Sequence, residues 1–122
     1  MKYSYELDNV ENICNVIVSG SYRRDEDSAT MKQFVCDFYE KTGCRMFFFD
    51  MTAASITSNT LASYEAGNPP EEIAKTLRRH RTAVLLTEIT DDDRFFETVA
   101  RNRGFNFQLF DEYNKAIEWL KK

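Results

Sequence analysis

Histidine occurs once in this sequence, as His80, inside the basic run Arg78-Arg79-His80-Arg81. A general base needs an imidazole oriented by a hydroxyl, thiol or carboxylate, and neighbouring cations disfavour the protonated ring. No such partner stands near it along the chain, so His80 reads as a solvated surface residue. Cys14, Cys36 and Cys44 have no CxxC spacing. With a single histidine they do not make a zinc site of usual ligand spacing, and they read as buried reduced thiols. Asp91-Asp92-Asp93 has the composition of a magnesium site, but also of a helix start with acids on the positive end of the dipole, and the second reading is preferred. The four glycines are isolated, so GxGxxG, P-loop and GxSxG patterns are all missing. This inventory predicts a non-enzymatic protein with neither cofactor nor metal.

Recognition has more material to work with. Lys75, Arg78, Arg79 and Arg81 cluster in an otherwise acidic chain and are candidates for holding a phosphate, a lipid headgroup or an acidic partner. Six of the twelve residues from Thr52 to Ser63 carry a hydroxyl, which reads as a loop of unusual composition. Ten phenylalanines fall mostly on faces that periodicity sends inward, so they read as core. The alternative is an aromatic-lined pocket for a small apolar ligand or lipid, with Phe47, Phe49, Tyr64, Phe95 and Phe96 as lining candidates.

Composition narrows the classes further. Hydrophobic residues at 43% and charged residues at 30% describe a folded chain. The net charge of −4 disfavours nucleic acid as the main partner. The start MKYSYELDNVENI lacks the basic and apolar regions of a signal peptide, and the apolar run Met46–Phe49 is too short to span a bilayer. A cytosolic protein is expected.

Periodicity supplies the elements that must position these residues. Tyr3, Tyr5 and Leu7 alternate with polar neighbours, and a second strand from Ile13 to Ser19 ends at Gly20, giving an antiparallel hairpin. Asp25 to Thr42 is a helix whose stripe is Met31, Phe34, Val35, Phe38 and Tyr39, closed by Gly43. Arg45 to Met51 is a strand covered on both faces. A short helix starts near Ser58 or Asn59 with Leu61 and Tyr64 inward and breaks at Gly67. Asn68-Pro69-Pro70-Glu71 starts another, with Asn68 as its cap and Ile73 and Leu77 as its apolar edge. Thr82 to Thr87 is a core strand. Thr90 begins a helix carrying Phe95, Phe96, Val99 and Ala100; Phe105 to Leu109 is the last strand, and Asp111 caps a final helix. The order β-β-α-β-α-α-β-α-β-α predicts one α/β domain over residues 1–122 with a mixed, mostly parallel sheet. Its open edges favour a homodimer.

The strand pair ending in Val18-Ser19-Gly20, the strand ending in Asp50-Met51-Thr52, the strand Ala83 to Thr87 and the ending Phe110-Asp111-Glu112-Tyr113…Ala116-Ile117-Glu118-Trp119-Leu120 together make a pattern. In these residues the chain resembles the SpoIIAA-like STAS superfamily, in particular its short single-domain bacterial branch, which is also similar to the CRAL-TRIO lipid-binding fold. In anti-anti-sigma members of that superfamily an Asp-ended strand leads to an Asp-Ser at a helix start, and the Ser is phosphorylated. Here Asp50 ends the strand and Ser58-Asn59 stands in place of Asp-Ser, so Asn replaces the acceptor. The resemblance implies a cytosolic regulatory or protein-interaction module, with Asp50, Thr57, Ser58, Asn59 and Thr60 as candidates for partner binding or phosphate acceptance.

Overall fold

Alternation along each strand decides which helix a side chain meets, so the strands come first. The computed structural model describes all residues from Met1 to Lys122. Lys2–Asp8 (β1) and Ile13–Arg23 (β2) form the antiparallel hairpin, with Asp8 Oδ1 accepting from Val10 N and Glu11 N in the turn. Helix α1 (Arg24–Thr42) leads to β3 (Met46–Thr57), and α2 (Thr60–Gly67) and α3 (Glu71–Leu77) lead to β4 (Arg81–Leu85). Helix α4 (Asp91–Asn102) leads to β5 (Asn106–Phe110), and α5 (Tyr113–Lys121) follows it. The sheet order is β1-β2-β3-β4-β5, and every pair after the hairpin is parallel. The predicted element order and the mixed α/β class are both observed.

Three successive parallel crossovers step in one direction, which places α1 to α4 on one face of the sheet. That face carries Cys14, Val16, Val18, Phe47, Phe49, Met51, Val84, Leu86 and Leu109, closed by Met31 and Val35 of α1. The intervening residues Ile13, Phe48, Ala83, Leu85 and Phe110 form the second face, under Ala116 and Leu120 of α5. Each fully buried large side chain such as Phe47 contributes roughly 1.5–3 kcal/mol. Gly43 ends α1 at φ 73°, its N–H bonded to Tyr39 O at 2.7 Å, the left-handed cap expected of it. The cysteines are all buried and free.

Several expectations need correction. Strand β2 runs past Gly20 to Arg23, and β3 runs past Met51 to Thr57. The two strands stay paired beyond their neighbours, from Ser19 opposite Ala53 to Arg23 opposite Thr57. Between Asp50 and Ala53, β3 spends three residues against two of β2, a bulge that exchanges its inward and outward positions. Before it Phe47, Phe49 and Met51 face the core; after it Ala54 and Ile56 do. Helix α2 turns Ala62, Ser63, Ala66 and Gly67 inward, leaving Leu61 and Tyr64 exposed. Small residues are required there because α2 lies hard against α4. Pro70, not Asn68, precedes α3, and Glu112, not Asp111, precedes α5.

His80 is the largest departure. It is 3% exposed, with its ring 5.1 Å from Phe47 and 5.8 Å from Tyr39. Arg81 holds the strand start next to it by donating to Trp119 O at 2.8 Å, so the polar neighbours point elsewhere. Burial holds the imidazole down to about 4, against an ordinary 6.5.

Because the unfolded chain takes up the His80 proton at higher pH than the folded one, the protonation-linked cost of His80 is absent well above pH 6.5 and stability falls as pH drops from 6.5 to about 4. The loss is roughly 3 kcal/mol across that window, from 1.36 kcal/mol per pKa unit. Urea unfolding from pH 4 to 8 will show this component in the wild type and not in His80→Leu; equal slopes exclude it. An added Cβ at Gly67 lies 2.8 Å from Val99 Cγ1, so Gly67→Ala will destabilise by about 1–3 kcal/mol and Val99→Ala will restore part of the loss.

Candidate functional site

Strands β2 and β3 end together, at Arg23 and Thr57, on the rim where α1, α2 and α4 begin. The carboxyl ends of parallel strands are where α/β sheets leave a crevice, and here it measures about 360 Å³. Arg24, Ile56, Ser58, Glu88, Thr90 and Asp92 are among its walls.

A chain of hydrogen bonds organises this rim. Ser58 Oγ and Ser63 Oγ lie 3.1 Å apart, and Ser63 Oγ donates to Asp92 Oδ2 at 2.8 Å. Arg24 Nη1 donates to the same carboxylate at 3.2 Å and to Ser63 Oγ at 3.3 Å. Arg24 Nη2 donates to Asp93 Oδ1 at 2.5 Å. The other Asp93 oxygen accepts Thr90 N, and Thr90 Oγ1 accepts Asp93 N, so the carboxylate also completes the capping box of α4. Arg24 is 3% exposed and Asp93 6%, which makes this a buried ion pair rather than a surface one. The guanidinium also lies 4.9 Å from the Phe96 ring centroid, a cation–π contact.

The sequence candidates are placed unevenly. Residues 52 to 57 belong to β3, so the expected loop shrinks to Ser58-Asn59. Ser58 is half-buried in the chain of bonds above, and Asn59 caps α2 by accepting Ala62 N at 2.8 Å. Thr57 and Thr60 flank them, both exposed. Asp50 is not with them: it stands seven positions before Thr57 on the strand, about 23 Å at 3.3 Å per step. Its Oδ1 accepts both Thr52 N and Thr52 Oγ1, at 3.0 and 2.7 Å, and so fastens the bulge.

The basic run disperses. Arg78 bonds Glu71 Oε1 at 2.7 Å and Arg103 O at 2.9 Å, and its hydrogen bond is the main reason the Glu71 carboxyl titrates below its ordinary value. Arg81 is half-buried against Trp119, while Lys75 and Arg79 face solvent. The expected single anion site is therefore not assembled. Among the aromatic candidates, Phe49 and Phe96 line an apolar pocket beneath α1, Phe47 is packed in the core, and Tyr64 and Phe95 face outward.

Sequence reasoning missed Arg24, Ser63 and the pairing role of Asp92 and Asp93. One signal was present. An arginine at the first helical position opposes the dipole, and such a local conflict marks a residue recruited by tertiary structure.

No protein-family model matches the sequence, and no curated protein does. Among solved structures, an uncharacterised protein of the DUF3478 family with a SpoIIAA-like fold, from Shewanella loihica PV-4, superimposes with a TM-score of 0.57. The two are 12% identical, and the match covers 97% of this chain and 93% of that one. The fold is SpoIIAA-like. At that identity the likeness carries architecture alone, and the rim chemistry is read from this chain's own residues.

Removing the Arg24 guanidinium leaves two carboxylates facing one another at the start of α4. Arg24→Met is expected to cost about 3–5 kcal/mol in urea unfolding at pH 7. Arg24→Lys will recover only part of that, because an ammonium donates from a single nitrogen and lacks the planar fork whose two nitrogens meet Asp92 and Asp93 separately. A loss under about 1 kcal/mol in Arg24→Met would show that the pair contributes little.

Proposed function

We propose that this SpoIIAA-like domain is a non-enzymatic regulatory module of STAS type that acts in the cytosol by binding a protein partner at the rim around Ser58, Asn59 and Thr60. The observation that carries the reading is the unbroken bond chain from the Ser58 hydroxyl through Ser63 and Asp92 to the buried Arg24. A surface group at the start of α2 is thereby connected to the ion pair that fixes the start of α4. Loops and element ends held on a rigid frame are where recognition is placed. The three reduced thiols agree with a reducing compartment.

The same chain explains how a charge at Ser58 would be read. A phosphate there meets the positive end of α2 but also approaches Asp92, and Arg24 Nη1 is shared between Asp92 and Ser63. A dianion would draw the guanidinium from Asp92 towards itself, altering the face shown by α4. Asn59, standing where the superfamily acceptor would be, is occupied as the cap of α2.

Pull-down from native extract tests this with the wild type, a Ser58→Asp/Thr60→Asp variant and, on α5, Glu118→Lys. The α5 variant is expected to keep the wild-type partner and the rim variant to lose it or exchange it, with cooperative unfolding retained in all three. An identical partner profile for the rim variant, or no partner at all, would sink the proposal.

A further inference from the structure

Beneath α1 lies a cavity of about 100 Å³, separate in character from the rim cleft. The sheet contributes Phe49, Val84 and Leu109 to its walls, and the helices contribute Met31, Val35 and Phe96. Ser28, Thr82 and Asn106 interrupt this apolar lining, and so do three basic side chains.

Lys32 is the first. Its ammonium donates to Ser28 Oγ at 3.1 Å and lies 5.9 Å from the Phe96 centroid, yet it forms no salt bridge. Burial and the nearby Arg24 charge hold it down at about 8. Arg24, the second, also borders the cavity but has its charge met by Asp92 and Asp93. Lys32 is thus the cation of this cavity without a counter-ion. His80, the third, has neither ring nitrogen hydrogen-bonded although the side chain is buried. Buried polar groups are normally satisfied, and the protein supplies this ring with no hydrogen-bond partner. The His80 ring packs on Tyr39, seven residues from Lys32 along α1, about 10 Å at 1.5 Å per residue. A half-buried cation without a counter-ion and an unsatisfied ring therefore stand at two separated points of one apolar pocket.

We infer that this cavity binds a small monocarboxylic acid, its carboxylate on Lys32 and Ser28 and its aliphatic tail among Met31, Val35, Val84 and Phe96. An ionised carboxylate meets the unpaired ammonium through a charge-assisted hydrogen bond. Size sets the tail. An apolar cavity of about 150 Å³ holds the six carbons of benzene, so this one accommodates about four. The inference is independent of the rim reading, since neither Ser58 nor Thr60 lines the cavity.

Amide chemical-shift titration at pH 7 tests it, with straight-chain carboxylates from acetate to octanoate and the primary alcohols of the same lengths. Saturable shifts are expected at Val84 and Leu86, with affinity rising about fourfold per methylene up to butanoate or pentanoate and falling for octanoate. The carboxylate is expected to bind at least tenfold more tightly than its alcohol. Lys32→Met keeps the stem and removes the charge; it should weaken carboxylates at least tenfold and alcohols by a much smaller factor. The amide spectrum of that variant reports its folding directly. No saturation at any chain length, equal binding of acid and alcohol, or an unaltered Lys32→Met titration would each overturn the proposal. Shifts confined to exposed lysines, the mark of an adventitious anion, would do the same.

Discussion

Burying Arg24 at the first position of α1 opposes two costs at once: lost hydration and the positive end of a helix dipole. The position is tolerated because α4 delivers two carboxylates to it, and Asp93 is held there by its own capping box. The arrangement ties the starts of two helices that lie far apart in sequence, at Arg24 and at Asp91. It also constrains α2. Ser63 must present its hydroxyl to Asp92 from a face otherwise made of alanine and glycine, which is why that face has no bulky residue. Placement of the rim depends on this one guanidinium.

The bulge in β3 is the second constraint, and it divides the strand chemically. Upstream, Phe47, Phe48 and Phe49 are buried alternately towards the two helical layers, as a central strand requires. Downstream, β3 has only β2 beside it, and apart from Ile56 the side chains become small or hydroxylated. Asp50 holds the transition through Thr52. Without the inserted residue, Ala54 and Ile56 would point to solvent, because a one-residue slip sends every later side chain to the other face. The hydroxyl-rich composition is therefore the signature of an exposed parallel ribbon that carries Ser58 out to the rim.

How much of this was legible follows from the range of each interaction. The α1 stripe through Met31 and Val35, the Gly43 cap and the Thr90 helix start are local patterns, and the structure repeats them. The inward face of α2 was not legible, since it is chosen by the closeness of α4 rather than by hydrophobicity; Leu61 and Tyr64 are the more apolar pair and are still exposed. His80 was misplaced for a related reason. Its neighbours along the chain are arginines, but its neighbours in space are Phe47 and Tyr39. Of the site, Ser58 and Asn59 were legible from their place before a helix. Arg24, Ser63 and Lys32 were not, because partners many residues away decide what each of them does.

Those distant partners also make the rim and the cavity neighbours. Arg24, Met51 and Leu86 belong to the walls of both. The guanidinium has its edge on Asp92 and Asp93 and its face on Phe96, whose other neighbours are Lys32 and the Phe107 ring. A tail that presses on Phe96 thus acts on the surface that supports Arg24, and a charge that draws Arg24 outward removes a cation from the cavity wall. Each event changes the electrostatic surroundings of the other. Linkage makes any such coupling reciprocal: whatever factor an occupied cavity imposes on rim binding, the rim imposes on the cavity. Its electrostatic part runs through one side chain, since Arg24 is the charged residue that borders both spaces.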